Sequence, residues 1–387
     1  MTTKYLKMLS LLAVMVIVTA AISVTPYART SPGEEDPVSA PVRTVEDGET
    51  LDAEIDRIGF AIMQLQIQNN QLASSSVSED VQETIDRNND AIDGLLAQLD
   101  ELSPPIPVVE ISNNVRIQME SSIDALVESG LPVYSLSIDT STGNLDILVE
   151  SSTNIDDQIR SITGDSLPLN IEYGTNTFKL QASSCNTLTG FCDPLIGGSD
   201  AEDDHFGLPC TASLAAVRNT WFGTEDGVII PDHCNPRSSS YCQADNSNLT
   251  HLVGSETRGG GSGCDCSFIK SNSRDIDAGK ITIGPDDYAI AGKADSAKNK
   301  WIFMHGATSG FDHGKIVEVG VSWQDDTTEQ WYHNLYKIRY IDFTDGDSGA
   351  PAIDIYDMTY AGMNIGAEGE YNYAHEWSYL KSKLGLR

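Results

Sequence analysis

The stretch Asp345-Gly346-Asp347-Ser348-Gly349-Ala350-Pro351 is the most informative part of this sequence. It sets Ser348 between small residues, so that a tight turn can present the serine hydroxyl. Gly346 lets the backbone turn its N–H groups inward, and the N–H groups of Gly346 and Ser348 can then form an oxyanion hole for acyl transfer. A serine on such a turn acts as a nucleophile only beside a base and a group that orients the base.

The base is predicted in the run Gly227-Val228-Ile229-Ile230-Pro231-Asp232-His233-Cys234, where an apolar strand ends in a histidine and a cysteine. Cys210 lies upstream, and a bridge between Cys210 and Cys234 would fix the strand that delivers His233. The other six histidines lack this framing and are interpreted as ordinary surface or core residues: His205, His251, His305, His313, His333 and His375.

The group that orients the base is predicted to be Asp265, which opens the run Asp265-Cys266-Ser267-Phe268-Ile269-Lys270. A carboxylate at this point would lie at the rim of a barrel while the strand after it is buried. It would accept the imidazole N–H, hold the tautomer of His233 and stabilise the imidazolium. Asp275 and Asp277 are the alternatives, and both lie in a more polar stretch.

Together these segments resemble the chymotrypsin-like serine proteases. His233, Asp265 and Ser348 follow the family's His, Asp, Ser order, and G-D-S-G-A-P matches the family's G-D-S-G-G-P with Ala350 in place of a glycine. The pair His233-Cys234 matches the family's A-x-H-C, for which Cys210 is the expected disulfide partner. Three further segments are similar to the secreted streptogrisin/α-lytic branch: residues 306–317, 362–366 and 195–198.

The resemblance covers residues 195–387 and implies a mainly β fold, with two antiparallel six-stranded β-barrels and a cleft between them. It implies Ser348 as the nucleophile and His233 as the general base and then acid. It further implies Asp265 as the orienting carboxylate, and the N–H groups of Gly346 and Ser348 as the oxyanion hole. No metal ion and no organic cofactor are implied.

Substrate-binding residues also follow from the resemblance. The strand that pairs with a bound peptide is expected to include Asn364 and Gly366. Asp342 stands six residues before Ser348, at the position where the animal branch has the base of its primary pocket. A buried carboxylate there would select Lys or Arg side chains, whereas the pocket lining of the bacterial branch differs and would leave Asp342 on the surface.

Residues 106–184 are predicted to form a small α+β domain without cysteine in residues 106–183 and without a catalytic cluster. By the resemblance this domain is a pro-region that assists folding and blocks the cleft as an intramolecular inhibitor, so that the enzyme is made as a zymogen. Its predicted elements are strand 108–111, helix 115–129, strands 133–139 and 144–149, helix 156–162 and strand 167–173.

Residues 50–105 carry two apolar stripes with helical spacing, which predict a helical hairpin or coiled-coil segment. The hairpin is either a spacer that buries its own stripes or an oligomerising coil, and the short stripes favour the spacer. The stripes are formed by Leu51, Ile55, Ile58, Ile62 and Leu65, and by Val81, Ile85, Ile92, Leu96 and Leu99.

Residues 1–28 are predicted to be a secretory signal peptide, because Lys4 and Lys7 precede an apolar run that ends in small residues. An uncleaved membrane anchor on the outer face is the alternative, since the run approaches the length that spans a bilayer. Residues 29–49 are rich in Pro, Ser, Thr and acidic residues, which is typical of a flexible linker.

Charge and cysteine use bear on the partners and the compartment. The 387-residue chain has 57 acidic and 24 basic residues and a net charge of -33, which argues against nucleic acid and anionic membranes as partners.

All seven cysteines lie from Cys185 onward, and disulfides are their default state outside the cytosol. One of Cys264 and Cys266 is expected to bridge to Cys242. Their C-x-C spacing disfavours zinc.

The sequence therefore predicts a secreted serine endopeptidase that hydrolyses peptide and protein substrates through an acyl-enzyme. Two alternatives stay open. One is a catalytically inactive binding protein on the same fold, and the other is a membrane-tethered protease that keeps its N-terminal apolar segment.

Overall fold

A computed structural model gives the structure of this protein. It describes residues 51–73, 79–150, 155–174, 179–180, 195–198, 200–203, 209–234, 240–242, 252–272, 275–283, 286–325 and 329–387. The predicted signal peptide and linker, residues 1–28 and 29–49, lie outside the described residues. Contacts divide the chain into two units, residues 1–105 and 106–387, and each is described by itself. Among the described helices, none is long and apolar enough to cross a membrane.

Two helices form the described part of the first unit, α1 (Leu51–Ala73) and α2 (Glu79–Leu102). They pack against each other along the two predicted stripes. Ile55 and Ile62 of α1 and Leu99 of α2 are fully buried. The choice between a spacer and an oligomerising coil stays a prediction.

The second unit opens with an α+β segment that follows the predicted order of elements. The expected strand at residues 108–111 is wrong, because this stretch forms no ladder with any described strand and leaves Val108 and Val109 exposed. The elements are α3 (Asn113–Glu128), β1 (Val133–Asp139), β2 (Asn144–Glu150), α4 (Asp156–Thr163) and β3 (Leu169–Gly174).

Short strands dominate the rest of the unit, and α5 (Trp377–Leu384) ends it. This helix begins only at Trp377, because the residues before it form β21, which pairs with a strand on each side. The strands are β4 (Lys179–Leu180), β5 (Leu195–Gly197), β6 (Asp200–Asp203), β7 (Pro209–Thr211), β8 (Leu214–Thr220), β9 (Gly223–Ile230), β10 (Ser240–Cys242), β11 (Leu252–Gly259), β12 (Ser267–Ser271), β13 (Ile276–Ile283), β14 (Asp286–Ala289), β15 (Gly292–Lys293), β16 (Trp301–Gly306), β17 (Gly310–Gln324), β18 (Trp331–Arg339), β19 (Pro351–Asp354), β20 (Thr359–Glu368) and β21 (Tyr371–Glu376).

These strands form three sheets. An 11-stranded sheet has the order β16-β19-β20-β21-β18-β17-β1-β2-β3, with β15 and β4 paired to β20. A 7-stranded sheet has the order β7-β6-β10-β11-β12-β9-β8, and a 3-stranded sheet has the order β14-β13-β5. The predicted mainly β fold is confirmed. Closure of the strands into two six-stranded barrels does not follow from these pairings and stays a prediction.

Each large sheet has its own apolar core. In the 7-stranded sheet, Val228, Ile230 and Ile269 are buried together. In the 11-stranded sheet, Ile316 and Tyr336 belong to the buried cluster. Full burial of each such side chain stabilises the fold by about 1.5–3 kcal/mol. The strand ends that carry functional residues are therefore attached to well-packed cores.

An acidic cavity of about 420 Å³ lies where the α+β segment meets the C-terminal strands. Burial, together with the charge of nearby carboxylates, raises the pKa of Asp146 to about 6. Burial also raises the pKa of Glu318. The acidic residues that line the cavity are Asp146, Glu172, Glu318, Glu368 and Glu370.

We expect Asp146→Asn to stabilise the protein at pH 8 but not at pH 4. The pKa of Asp146 is raised to about 6 in the fold, so the folded state binds more protons than the unfolded state and stability falls as the pH rises to 6. The neutral amide of the variant avoids this loss of stability. We expect its free energy of unfolding, measured with urea at pH 8, to exceed that of the parent by about 1 kcal/mol. The exposed Asp165→Asn is the control. An equal gain at both pH values would contradict the assignment.

Candidate active site

The three residues predicted to carry the chemistry come from the ends of three strands. His233 follows β9, Asp265 precedes β12, and Ser348 precedes β19. Strands β9 and β12 are antiparallel neighbours with Ser267 opposite Ile230, so His233 and Asp265 emerge side by side. Ser348 comes from the other large sheet, and the site is therefore formed where two sheets meet.

The structure brings these three side chains into hydrogen-bond contact. His233 Nδ1 lies 2.5 Å from Asp265 Oδ2, and the backbone N–H of His233 donates to Asp265 Oδ1 at 2.8 Å. On the other side of the ring, His233 Nε2 lies 3.0 Å from Ser348 Oγ. An ionised carboxylate only accepts, so it holds the proton on Nδ1 and leaves Nε2 as an acceptor for the serine hydroxyl. This arrangement can move a proton from Ser348 to His233.

Asp265 is buried, with only 1% of its surface exposed. Burial acts to raise its pKa, but the charge of His233 and the hydrogen bonds from His233 outweigh burial and lower the pKa below that of an ordinary aspartate. The carboxylate is therefore ionised at neutral pH. An ionised partner stabilises the imidazolium that forms when His233 takes a proton.

A disulfide fixes the segment that carries His233. Cys210 and Cys234 are bonded, with their Cα atoms 6.3 Å apart, and this pairing was implied by the resemblance. Both cysteines belong to the buried core of the 7-stranded sheet. The bridge ties β7 to the residue directly after His233, so the histidine backbone has little freedom to move.

The sulfur atoms of Cys210 and Cys234 lie close enough to a ring nitrogen of His233 for the three groups to share a metal ion. Metal binding needs a thiolate, and the two sulfur atoms are already bonded to each other. These residues therefore do not form a metal site while the bridge is intact.

Gly346 and Gly349 shape the turn around Ser348. Their φ angles are +96° and +95°, a region that favours glycine. A Cβ atom at Gly349 would lie 1.8 Å from the carbonyl oxygen of Thr211, so no larger residue fits there. The oxyanion-hole role of the N–H groups of Gly346 and Ser348 stays a prediction.

Asp347 anchors this turn from the inside. Its Oδ1 accepts the backbone N–H groups of Thr308 and Ser309 at 2.9 and 2.8 Å, and its Oδ2 accepts that of Thr344 at 2.9 Å. Burial raises the pKa of Asp347, while the three donors act in the opposite direction. The side chain joins the turn to the glycine-rich segment at residues 306–310.

Thr211 joins the two large sheets at the site, and no sequence signal pointed to it. Its N–H donates to the carbonyl of Ser348 at 2.7 Å, and its hydroxyl donates to the carbonyl of Gly346 at 3.1 Å. The same hydroxyl accepts the N–H of Ala307 at 2.9 Å. Its side-chain partners lie 135 and 96 positions away in the chain, so that no local pattern reveals them.

The two residues expected on the peptide-binding strand lie on β20 beside Ser348. Asn364 is buried; its carbonyl accepts the N–H of Gly349 at 2.8 Å, and its own N–H donates to Ala350 at 2.9 Å. Gly366 pairs with Leu180 of β4 in antiparallel register. An extended segment of the chain therefore lies along this strand.

Asp342 is exposed, which matches the surface position expected from the bacterial branch and not the buried pocket base of the animal branch. Its backbone N–H donates to Asp312 Oδ2 at 2.7 Å. Asp342 therefore lacks the buried position that selection of Lys or Arg side chains requires.

Two features around Asp265 differ from what the sequence predicts. Cys264 and Cys266 are bonded to each other, so the expected bridge from one of them to Cys242 is wrong. The loop brings their Cα atoms 5.3 Å apart. His375, interpreted as an ordinary histidine, accepts the backbone N–H of Asp265 at its Nε2, at 2.9 Å.

Comparison with known proteins adds a likeness in fold. No family model matches the sequence, and no curated protein matches it. Among solved structures, a Nocardiopsis protease is 18% identical, covers 50% of this chain and 97% of its own, and has a TM-score of 0.41. Thermobifida fusca protease A is 17% identical, with 50% and 96% covered and a TM-score of 0.42.

An alpha-lytic protease homologue is 21% identical, with 50% of this chain and 97% of its own covered and a TM-score of 0.42. All three of these structures are proteases by name. The chemistry of the site in this chain follows from its own distances.

We expect Thr211→Val to destabilise the protein by about 1–3 kcal/mol, because it leaves the buried N–H of Ala307 and the carbonyl of Gly346 without their hydroxyl partner. Thr211→Ser keeps the hydroxyl and is the matched control, with a loss of about 1 kcal/mol for the missing methyl group. Urea unfolding of both variants checks this. Equal losses would show that the hydroxyl does not join the sheets.

Proposed function

We propose that this protein is a secreted serine endopeptidase made as a precursor. The observation that carries the proposal is the line of contacts from Asp265 through His233 to Ser348, at 2.5 and 3.0 Å. Each member has the chemistry that its place requires, since an ionised carboxylate holds an imidazole whose other nitrogen faces a hydroxyl.

In the proposed reaction, His233 Nε2 takes the proton of Ser348 as the serine oxygen bonds to the carbonyl carbon of a peptide. The N–H groups of Gly346 and Ser348 stabilise the negative charge that develops on the carbonyl oxygen. His233 then gives the proton to the leaving amine, the C–N bond breaks and an acyl-enzyme remains. Water, deprotonated by His233 in the same way, releases the acid and restores Ser348.

Strand β4 supports a peptide as the substrate. Leu180 and Lys179 pair with Gly366 and Ala367 in antiparallel register, so β20 accepts an extended backbone as an added strand. Asn364, two residues before Gly366, is bonded to the residues that follow Ser348. A peptide that pairs with β20 in this register runs past the hydroxyl of Ser348, as cleavage of an internal peptide bond requires.

Two contacts support residues 106–184 as a pro-region. Strand β1 pairs with β17, with Ser135 opposite Trp323, so the α+β segment continues the sheet that carries Ser348. Strand β4 lies on β20, where a substrate would bind. In this arrangement the precursor is held inactive because its own chain occupies the cleft.

Export is supported by the Cys210–Cys234 and Cys264–Cys266 bridges, since disulfides persist in oxidising compartments. It agrees with the basic and then apolar pattern of residues 1–28. Two barrels around the cleft remain the proposed architecture of residues 195–387.

We expect a fluorophosphonate to label Ser348 of the folded protein, and peptide mass spectrometry to locate the label. Prior unfolding by heat abolishes labelling, because the contacts of His233 with Asp265 and Ser348 are lost. Asp265→Asn, which keeps the size of the side chain but not its charge, slows labelling by about 1000-fold. Ser348→Ala is the unlabelled control. A folded protein, freed of residues 29–194, that takes no label would favour the inactive binding protein.

We expect Leu180→Pro to speed labelling of the uncut chain by about 10-fold or more. A tenfold change corresponds to about 1.4 kcal/mol in the free energy with which β4 occupies the cleft. Proline lacks the N–H that a strand needs, so β4 separates from β20. Lys179→Ala leaves the backbone of β4 unchanged and is the control. Initial rates are read on the full-length band of a gel. Equal rates for Leu180→Pro and the parent would show that β4 does not block Ser348.

A further inference from the structure

We propose that His375 is a positioning residue for Asp265, and that the Cys264–Cys266 disulfide positions the same aspartate from its two chain neighbours. The inference rests on the proposed function, because it concerns how the orienting carboxylate is aimed at His233. It assigns a role to a histidine that the sequence motifs leave aside, and to a bridge that no motif predicts.

The first support is the contact between His375 and the backbone of Asp265. The N–H of Asp265 donates to His375 Nε2 at 2.9 Å. The other ring nitrogen, His375 Nδ1, lies 3.1 Å from the carbonyl of His333, and a carbonyl can only accept. The proton therefore lies on Nδ1, and Nε2 is left as the acceptor that the N–H of Asp265 requires.

The surroundings of His375 keep this acceptor available. The side chain is fully buried, and burial lowers its pKa to about 4. The imidazole is neutral near pH 7, so Nε2 keeps its lone pair. His375 belongs to β21, which pairs with both β18 and β20 in the interior of the 11-stranded sheet. Asp265 is thus held by the sheet that also carries Ser348.

The second support is the ring that the disulfide closes around Asp265. Cys264 and Cys266 are both fully buried. The bridge packs on the backbone of Gly260, where an added Cβ would lie 2.2 Å from Cys266 Sγ. The N–H of Gly260 donates to the carbonyl of Cys266 at 2.6 Å. The backbone on both sides of Asp265 is therefore restrained.

These restraints act on a residue whose direction decides the chemistry. Asp265 reaches His233 through both carboxylate oxygens, and a rotation of its backbone would break these bonds. The loop is further held by Tyr379, whose hydroxyl donates to the carbonyl of Gly263 at 3.0 Å, and by Lys383, which donates to Ser262 at 3.0 Å. His375 differs from these two because it contacts Asp265 itself.

Two substitutions of His375 separate positioning from support of the fold. In His375→Gln the side-chain oxygen can take the place of Nε2 and accept the N–H of Asp265. In His375→Asn the amide reaches only the place of Nδ1, so it keeps the donor to His333 and leaves the N–H of Asp265 without an acceptor. Each variant loses one hydrogen bond, so both are expected to lose similar stability.

The test uses the full-length chain with two measurements. Proton NMR records the downfield resonance of His233 Nδ1–H, which reports its hydrogen bond to Asp265 and needs no activity. The second-order rate of fluorophosphonate labelling reports the reactivity of Ser348. The Cys264→Ala/Cys266→Ala double variant tests the bridge in the same way. Leu145→Ala, a cavity in the separate core of the α+β segment, controls for lost stability.

We expect His375→Asn and the double cysteine variant to lose or broaden the downfield resonance and to label about 10–100-fold more slowly than the parent. His375→Gln keeps the resonance and labels within about 5-fold of the parent, as does Leu145→Ala. If His375→Asn and His375→Gln behave alike, the positioning role of His375 is overturned. An unchanged double cysteine variant overturns the role of the bridge. A parent that shows the resonance, but whose Ser348 takes no label even when Leu180→Pro frees the cleft, contradicts the proposed function and leaves the positioning intact.

Discussion

The 3.0 Å contact between His233 Nε2 and Ser348 Oγ spans two sheets, and the rest of the site serves to keep those sheets in register. Each sheet has its own core, so neither core fixes the distance. Contacts across the junction do: Thr211 bonds to Ser348, Gly346 and Ala307, and His375 accepts the N–H of Asp265. Gly349 permits the close approach, since a Cβ there would overlap the carbonyl of Thr211. The reactivity of the serine thus depends on packing at a point that carries no chemistry itself.

Sequence reasoning found the residues whose chemistry is visible in a short string. The turn at Ser348 and the strand before His233 have local signatures, and the structure brings both together with Asp265. Sequence reasoning failed where a residue acts through a distant partner. His375, for example, stands 110 positions from Asp265. For Asp342 the sequence left a pocket base and a surface position open, because counting back from a nucleophile transfers a position but not its burial. The predicted strands at 133–139, 144–149 and 167–173 match observed strands, since alternating apolar residues are a local signal, whereas the strand expected at 108–111 is absent.

Asp265 and Asp347 are both buried at the site, yet their pKa values move in opposite directions. Asp347 is bonded to backbone N–H groups, which carry only partial charge, so burial prevails and raises its pKa. Asp265 faces His233, which can carry a full charge, and this lowers its pKa. The difference suits their places, because a carboxylate that stabilises a forming imidazolium must stay ionised. A carboxylate that shapes a turn needs only to accept hydrogen bonds.

The state of the uncut chain follows from these contacts. His233, Asp265 and Ser348 are already in contact while residues 179–180 lie on β20. Asp347 takes its donors from Thr308, Ser309 and Thr344, all within the C-terminal half of the chain, so the turn at Ser348 needs no newly cut terminus to form. Under the proposed function, a precursor built in this way is latent because β4 occupies the cleft, while the three side chains are already in contact. The proposal then needs only the removal of β4 to open the site.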